Sequence, residues 1–80
     1  MKELKNVITT TYEMEPDWKI DIVREGNMAE AFIYENNVGV KSLMFGMDLK
    51  ENGFTYDYFL EIVEANFEEY RDIYLEDYDY

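Results

Sequence analysis

The sequence predicts an α+β fold in which a short N-terminal helix is followed by a three-stranded antiparallel β-meander and a C-terminal amphipathic acidic helix. Two observations support this prediction. Apolar residues recur at helical spacing near both ends of the chain and with a period of two in its middle. Gly and Asn residues separate the middle runs, as turns separate the strands of hairpins. A chain of 80 residues can bury one modest core, so we expect one domain over residues 1–80.

The N-terminal helix is predicted from four apolar positions at the spacing i, i+3, i+4 and i+8. They are Leu4, Val7, Ile8 and Tyr12. Three consecutive threonines at residues 9–11 weaken this prediction, because β-branched side chains lose rotamer freedom in a helix and are equally compatible with the approach to a strand. Pro16 then ends the element, since the residue before a proline is pushed out of helical geometry.

The meander begins after Pro16, where the apolar period changes from helical to two. Trp18, Ile20 and Ile22 alternate with other residues, as expected of a strand with one face on a core. Gly26 is the first residue of a two-residue turn signal, because glycine adopts positive φ at little steric cost.

The second and third predicted strands occupy residues 28–35 and 38–47. A pair of asparagines separates them, and asparagine tolerates the left-handed conformation that turns require. Gly39 and Gly46 weaken the last strand, and each is typical of a bulge or a sheet edge.

The C-terminal helix is predicted to begin after Thr55 as its N-cap, with Asp57 in the first turn, where the helix dipole favours an anion. Seven apolar residues then recur at helical spacing: Phe59, Ile62, Val63, Phe67, Tyr70, Ile73 and Tyr74. A single helix through Tyr74 is the first expectation, and a break near Asn66 that gives two shorter helices is the alternative. We expect residues 75–80 to form an acidic, tyrosine-rich tail.

The negative charge is concentrated in one segment of the chain. Of the formal net charge of −12, residues 51–80 contribute −9, with ten acidic side chains against Arg71 alone. A field of one sign on one face attracts a strongly basic partner. Direct binding to nucleic acid is not expected, because phosphate contacts rely on Lys and Arg and the chain has only seven. Apolar runs remain far shorter than the roughly 18 residues of a membrane span, so we expect no membrane contact and a cytoplasmic location.

Catalysis is not expected of this chain. Cysteine and histidine are absent, and Ser42 is the only serine. A serine nucleophile needs a neighbouring base, and acid–base catalysis at neutral pH is most often performed by histidine. We therefore expect a protein that is not an enzyme and binds no cofactor.

One segment has a partial resemblance to a calcium-binding EF-hand loop. Asp48, Asn52 and Gly53 match positions 1, 5 and 6 of such a loop. Lys50 and Phe59, however, stand at positions 3 and 12, where the loop needs oxygen ligands. We interpret the segment as a connection between a strand and a helix, and expect no metal site.

The predicted C-terminal helix carries a row of acidic residues opposite its apolar side. Spacings of three and four residues separate neighbouring carboxylates by roughly 4.5 to 6 Å along the axis. Phosphates of one DNA strand are comparably spaced, at about 3.4 Å in axial projection and more along the backbone. Such a row can occupy Arg and Lys sites built for a nucleic-acid backbone. The candidate partner-binding residues are Asp57, Glu61, Glu64, Glu68, Glu69, Tyr70, Asp72, Glu76, Asp77 and Asp79.

Tyrosines near this row offer flat contact area, and tyrosine is enriched in binding hot spots. They are Tyr56, Tyr58, Tyr70, Tyr74, Tyr78 and Tyr80. The alternative interpretation is that the acidic row is only the solvated face of a helix. The shortage of bases favours a binding role, because a solubilising face normally interleaves Lys with Glu, whereas this helix has only Arg71 and accepts like-charge repulsion.

The order of elements, together with an acidic, tyrosine-containing C-terminal segment, resembles that of the small phage-encoded anti-CRISPR proteins that inhibit type II-A Cas9 by DNA mimicry. The similarity is carried by Glu68, Glu69 and Tyr70 and by the acidic run at residues 76–79. This resemblance implies an inhibitor that occupies the site where Cas9 reads the PAM duplex. Arginines that otherwise bind two guanines would then meet Glu and Asp. It also implies a phage or prophage protein acting in the cytoplasm of the host bacterium.

The expected partner is therefore a basic nucleic-acid-binding protein, either a Cas9-type effector or another defence nuclease. An antitoxin or immunity protein that neutralises a basic toxin nuclease is the alternative, because acidic complementarity would serve it equally. An acidic structural or regulatory module is a third interpretation. The oligomeric state is left open by the sequence, with a monomer favoured.

Overall fold

Four strands and three helices follow one another in the computed structural model, which describes residues 6–78. The elements are β1 (Val7–Glu15), β2 (Trp18–Glu25), β3 (Met28–Glu35), β4 (Ser42–Asp48), α1 (Leu49–Asn52), α2 (Tyr56–Ala65) and α3 (Phe67–Tyr78). The strands form one antiparallel sheet in the order β1-β2-β3-β4. The predicted α+β class is confirmed. No helix in this part of the chain is both long and apolar enough to cross a membrane.

The predicted N-terminal helix is wrong wherever the structure describes it, because Val7–Glu15 form the edge strand β1. Leu4, the first residue of that prediction, lies outside the described residues. Five β-branched residues in succession begin β1, and such side chains fit a pleated surface better than a helix. Pairing with β2 from Val7 to Glu15 supplies the hydrogen bonds that an isolated short helix would have to make internally. The helical spacing of the apolar residues was therefore incidental.

The first two predicted strands are confirmed as β2 and β3, but the sheet has four strands rather than three. The turn between β2 and β3 contains Gly26 at a φ of 59°, the positive value anticipated there. The third predicted strand begins later than expected, at Ser42, because residues 36–41 form a loop. Gly39 in that loop has a φ of 76°, which β-branched neighbours such as Val40 would not readily adopt. The pairing of β3 with β4 shifts register between Ala31 and Phe32, so a bulge does occur in this strand pair.

The single C-terminal helix is also wrong, and the alternative with a break at Asn66 is confirmed. Asn66 has φ −102° and ψ 3° and separates α2 from α3. Its side-chain Nδ2 donates to the Ile62 carbonyl oxygen at 2.8 Å. The same oxygen also accepts a hydrogen bond from the Asn66 backbone N–H. A side chain that competes for backbone groups in this way disfavours a regular helix. Helix α3 continues to Tyr78, so residues 75–78 of the expected tail are helical, and residues 79 and 80 lie outside the described part of the chain.

The core lies between the helices and one face of the sheet. The predicted inward residues Trp18, Ile20 and Ile22 of β2 are buried, and so are Phe59 of α2 and Tyr74 of α3. The Trp18 ring meets the Tyr74 ring edge to face, with centroids 5.3 Å apart. Aromatic pairs in this geometry are favourable beyond the area that they bury, so this contact ties α3 to the start of β2.

The other face of the sheet carries a buried carboxylate. Asp21 of β2 is only 4% exposed and accepts hydrogen bonds from Thr11 Oγ1 at 2.7 Å, Tyr34 Oη at 3.0 Å and Lys41 Nζ at 2.6 Å. Burial acts to raise the pKa of Asp21, but the three donors together with the Lys41 charge outweigh it and hold that pKa below its ordinary value. The cluster joins β1, β2 and β3 to the loop that precedes β4.

We expect stability to fall at alkaline pH because three groups bind their protons more tightly in the folded state. Burial raises the pKa of Tyr34 and of Tyr56, and the hydrogen bond to Asp21 raises the pKa of Lys41. Their contributions are complete below the ordinary values of 10.0 for tyrosine and 10.5 for lysine, and are lost as the pH rises through the higher folded values. Urea midpoints measured across this range should decline.

An Asp21→Asn variant is the matched test of this pH dependence. Without the carboxylate charge, the pKa values of Tyr34 and Lys41 return toward their ordinary values, so the alkaline decline should be shallower. The variant should also lose the dependence of stability on acidic pH that Asp21 causes. The contribution of Asp21 to stability is present above its ordinary pKa of 3.8 and disappears as the pH falls through its lower pKa in the folded state. Identical pH profiles for the two proteins would contradict the assignment.

Candidate functional site

Local capping fixes where the acidic helices begin. Asp48 caps α1, its carboxylate accepting from the Glu51 N–H at 2.9 Å, and Gly53 ends α1 at a φ of 69°. Two residues later Thr55 caps α2 as predicted, with Oγ1 accepting from the Tyr58 N–H at 3.1 Å. These caps satisfy backbone donors that a helix leaves unpaired at its start. They turn the chain from the sheet edge into α2.

Nearly all candidate carboxylates lie on the outer surface of α2 and α3, which we call the acidic surface. The exposed members are Asp57, Glu61 and Glu64 on α2 and Glu68, Glu69, Asp72, Glu76 and Asp77 on α3. Asp79 lies outside the described residues. Helical geometry places the three α2 residues within an arc of about 60°, and the α3 residues except Asp77 within about 100°.

Both arcs lie away from the buried core, and Glu64, at the edge of the α2 arc, also lines a groove between α2 and β1. On α2 the buried residues are Phe59 and Val63, and on α3 they are Phe67 and Tyr74. Each buried pair lies on the side of its helix opposite the acids. The arrangement therefore gives one outward surface of negative charge over an apolar inner layer.

Arg71, the only basic residue of α2 and α3, points mainly toward β1. Its guanidinium donates to Glu15 at 2.8 Å and lies 3.6 Å from the exposed Asp72 carboxylate. It also lies over the Phe67 ring, 5.7 Å from the centroid. Over the described range, the Asp72 contact is the only ion pair that involves a carboxylate of the acidic surface. Most of that surface is thus left without an internal counter-charge.

Two further bases, Lys41 and Arg24, contact groups other than the carboxylates of the acidic surface. Lys41 binds Asp21 on the far face of the sheet, and the Arg24 guanidinium lies 4.7 Å from the centroid of the Tyr56 ring. Cation–π contacts of this kind are attractive even at exposed sites. Within residues 6–78, neither Lys41 nor Arg24 forms an ion pair with a carboxylate of α2 or α3.

The tyrosines near the acidic surface differ in how far their side chains are exposed. Tyr74 is a core residue, 2% exposed, so it is not available as contact area. Tyr70 is half-buried, with its ring 5.9 Å from that of Phe45, and Tyr56 is half-buried beneath Arg24. Tyr58 remains exposed and packs edge to face on Phe54. Nothing is described for the side chain of Tyr78, and Tyr80 lies outside the described residues.

Two exposed aliphatic residues beside the acidic surface were not anticipated. Ile73 and Leu75 on α3 are 42% and 44% exposed. By helical geometry they lie on opposite flanks of the row formed by Glu68, Asp72 and Glu76. The sequence pattern had assigned Ile73 to the buried side, because a straight single helix would place it there. A break at Asn66 changes the rotation of α3 relative to α2, and a wheel drawn across the break misassigns such residues.

The segment with partial EF-hand resemblance serves the local structure. Asp48 is the N-cap of α1, and Asn52 Nδ2 donates to the Asp48 carbonyl oxygen at 2.8 Å. Residues 6–78 contain no group of three or more acidic side chains arranged to hold a metal ion. The oxygen atoms that resembled ligands instead connect β4 to the following helix.

Comparison of the chain with protein-family models, with curated proteins and with solved structures finds no match.

Proposed function

We propose that this chain is a non-catalytic inhibitor that mimics DNA and places its acidic surface in the basic nucleic-acid-binding groove of a defence nuclease. The observation that carries this proposal is the exposed row of carboxylates on α2 and α3, which has almost no counter-charge from residues 6–78. Cas9 is the leading target, in accordance with the resemblance to anti-CRISPR proteins. The inhibitor acts in the cytoplasm of the host bacterium.

The electrostatic cost of the acidic surface supports a binding role. Asp57 and Glu61 of α2 are four residues apart, as are Glu68 and Asp72 of α3, and like charges at this spacing within a helix repel by a few tenths of a kcal/mol. A basic groove relieves this repulsion and adds charge-assisted hydrogen bonds. The same field accelerates association by steering the partner.

The spacing of the carboxylates supports mimicry of a polynucleotide. On α3, Glu68, Asp72 and Glu76 follow one another at four-residue steps, about 6 Å along the axis. Arg and Lys side chains that donate to successive phosphates can donate to carboxylates in the same charge-assisted geometry, often bidentate for Arg. In Cas9 the arginines that read the guanines of the PAM would be occupied.

A competition experiment with a purified type II-A Cas9–guide complex tests this proposal. A fluorescent duplex that contains the PAM is bound first, and the chain is then titrated at several salt concentrations. We expect the chain to displace the duplex, and its affinity to fall steeply from low to physiological salt because the contacts are ionic. A chain that binds Cas9 without affecting duplex binding, or with no dependence on salt, contradicts DNA mimicry.

A capture experiment extends the test beyond Cas9. The chain is immobilised, exposed to bacterial lysate, and then washed with duplex DNA. Mimicry predicts that the DNA wash releases a basic nucleic-acid-binding protein. A toxin nuclease that resists the DNA wash and is neutralised by the chain would instead identify an immunity protein, and the proposal would be replaced.

A further inference from the structure

The outer edge of β1 is the least protected part of the sheet. The strand is nine residues long, and no strand of residues 6–78 pairs with its outer side. Val7 and Ile8 are 53% and 63% exposed. Natural sheets shield such edges with charged residues, proline, bulges or a covering element. The opposite edge, β4, has a bulge and contains Gly46, whereas β1 is irregular only between Glu13 and Glu15.

The same edge is the longest stretch of the chain without charge. Residues 6–12 contain no acidic or basic side chain, in a protein with a net charge of −12. Two copies of so acidic a chain repel each other at most orientations, and can approach closely only where neither presents charge. A basic partner, by contrast, has no electrostatic reason to prefer this stretch over the acidic surface. The charge distribution therefore favours a second copy as the occupant of this edge.

We infer that β1 pairs antiparallel with β1 of a second copy, around a two-fold axis at Thr10, to make a continuous eight-stranded sheet. This register opposes Ile8 to Tyr12 of the second copy, and Thr9 to its Thr11. Aromatic with β-branched residues and threonine with threonine are favourable cross-strand pairs. Two-fold symmetry repeats each of them.

The register also separates the charges of the two strands. Glu13 of one copy falls opposite Val7 of the other, so the two Glu13 carboxylates are six residues apart along the ladder, about 20 Å. Like charges directly opposite each other, which destabilise strand pairs, are thereby avoided. The central part of the interface contains only apolar and hydroxyl side chains.

A groove beside β1 provides further apolar side chains next to the proposed interface. It has a volume of about 360 Å³ and lies between β1 and α2, with Tyr12, Met14 and Leu60 among its apolar lining residues and the carboxylates of Glu13 and Glu64 also in its lining. Ile8 and Tyr12 share the helix-covered face of the sheet, since they are paired with Arg24 and Ile20 of β2. Ile8 of the second copy therefore extends the apolar wall of this groove at Tyr12.

Sedimentation equilibrium of the full chain over a range of concentrations tests the dimer. The wild type should reach twice the chain mass of 9.7 kDa, more readily at high salt because repulsion between the copies is screened. Ile8→Lys should weaken dimerisation about tenfold, since the Ile8–Tyr12 pair is removed twice and edge lysines oppose strand pairing. Leu43→Lys is the matched control, because Leu43 is 51% exposed on β4 and the charge change is identical.

A cysteine experiment tests the register, because the chain has no cysteine of its own. Opposed Cα atoms in an antiparallel pair are about 4.5–5.5 Å apart, within disulfide range. Under mild oxidation Thr10→Cys should give a covalent dimer. Val7→Cys should not, because residue 7 of one copy lies six residues along the ladder from residue 7 of the other. A monomer at every concentration, equal loss of dimer in the Leu43→Lys control, or equal crosslinking of the two cysteine variants overturns the inference.

Discussion

Charge reversal of Glu64, Glu68 and Asp72 to lysine is expected to abolish the proposed binding to Cas9 while the fold remains intact or becomes more stable. These residues are exposed on α2 and α3, and within the described part of the chain only Asp72 contacts a base, Arg71, at 3.6 Å. Loss of paired charges at an interface costs about 2–5 kcal/mol per pair, so binding should weaken by roughly 100-fold or more. The measurement is the competition titration against a PAM-containing duplex.

A matched variant separates a specific interface from a general effect of charge. Reversal of Glu13, Asp17 and Glu51 changes the net charge by the same amount at exposed positions outside the acidic surface. This control should retain most of its affinity, with some loss of association rate because long-range steering is weaker. Equal loss in the two triple variants would mean that only total charge matters. If circular dichroism showed that the variant with Glu64, Glu68 and Asp72 reversed is unfolded, these carboxylates would be structural.

Truncation of Tyr74 to alanine is expected to remove a large part of the stability of the domain. Its ring is buried against Trp18, and its hydroxyl donates to the Val40 carbonyl oxygen at 2.8 Å. Replacing a large buried aromatic by alanine costs about 3–5 kcal/mol, a large share of the roughly 5–15 kcal/mol that holds a typical domain folded. Urea denaturation followed by tryptophan fluorescence reports this loss, because Trp18 is the only tryptophan.

Tyr74→Phe provides the comparison for this residue. It keeps the ring contacts and removes only the hydroxyl, so the expected cost is about 0.5–1.5 kcal/mol plus the penalty for any carbonyl left unsatisfied. A Tyr74→Ala protein as stable as Tyr74→Phe would show that the ring is not part of the core. It would also remove the basis for treating Tyr74 as unavailable to a partner.

Several elements were predictable because their signals are local. The period of two from Trp18 to Ile22 identified β2, the Gly26 turn located the hairpin, and Thr55 marked the start of α2. Each of these signals depends on residues within a few positions of one another. The exposed placement of the acids on α2 and α3 followed from helical periodicity in the same way.

The N-terminal element could not be assigned in this way. Residues 7–12 satisfy a helical apolar spacing and a β-branched strand composition at once, and the hydrogen-bond partner that decides between them is β2. Asn66 presents a similar ambiguity, because its side chain ends α2 only when it turns back to the Ile62 carbonyl. The Asp21 cluster brings together side chains from Thr11 to Lys41, which are 30 positions apart, and no local pattern predicts such a contact.

By itself, the sequence determined that this chain has an α+β pattern, an alternating β2 with a buried side, and a C-terminal segment whose acids lie opposite its apolar residues. These properties follow from side-chain type and spacing, which act over one or two turns. Only the tertiary structure decided that residues 7–15 complete the sheet, that Tyr74 belongs to the core, and that Arg71 turns toward Glu15 and leaves the acidic surface largely unneutralised. Those outcomes depend on which distant group pairs with a backbone donor, packs against an aromatic ring or neutralises a charge. These contacts form only when the helices pack on the sheet.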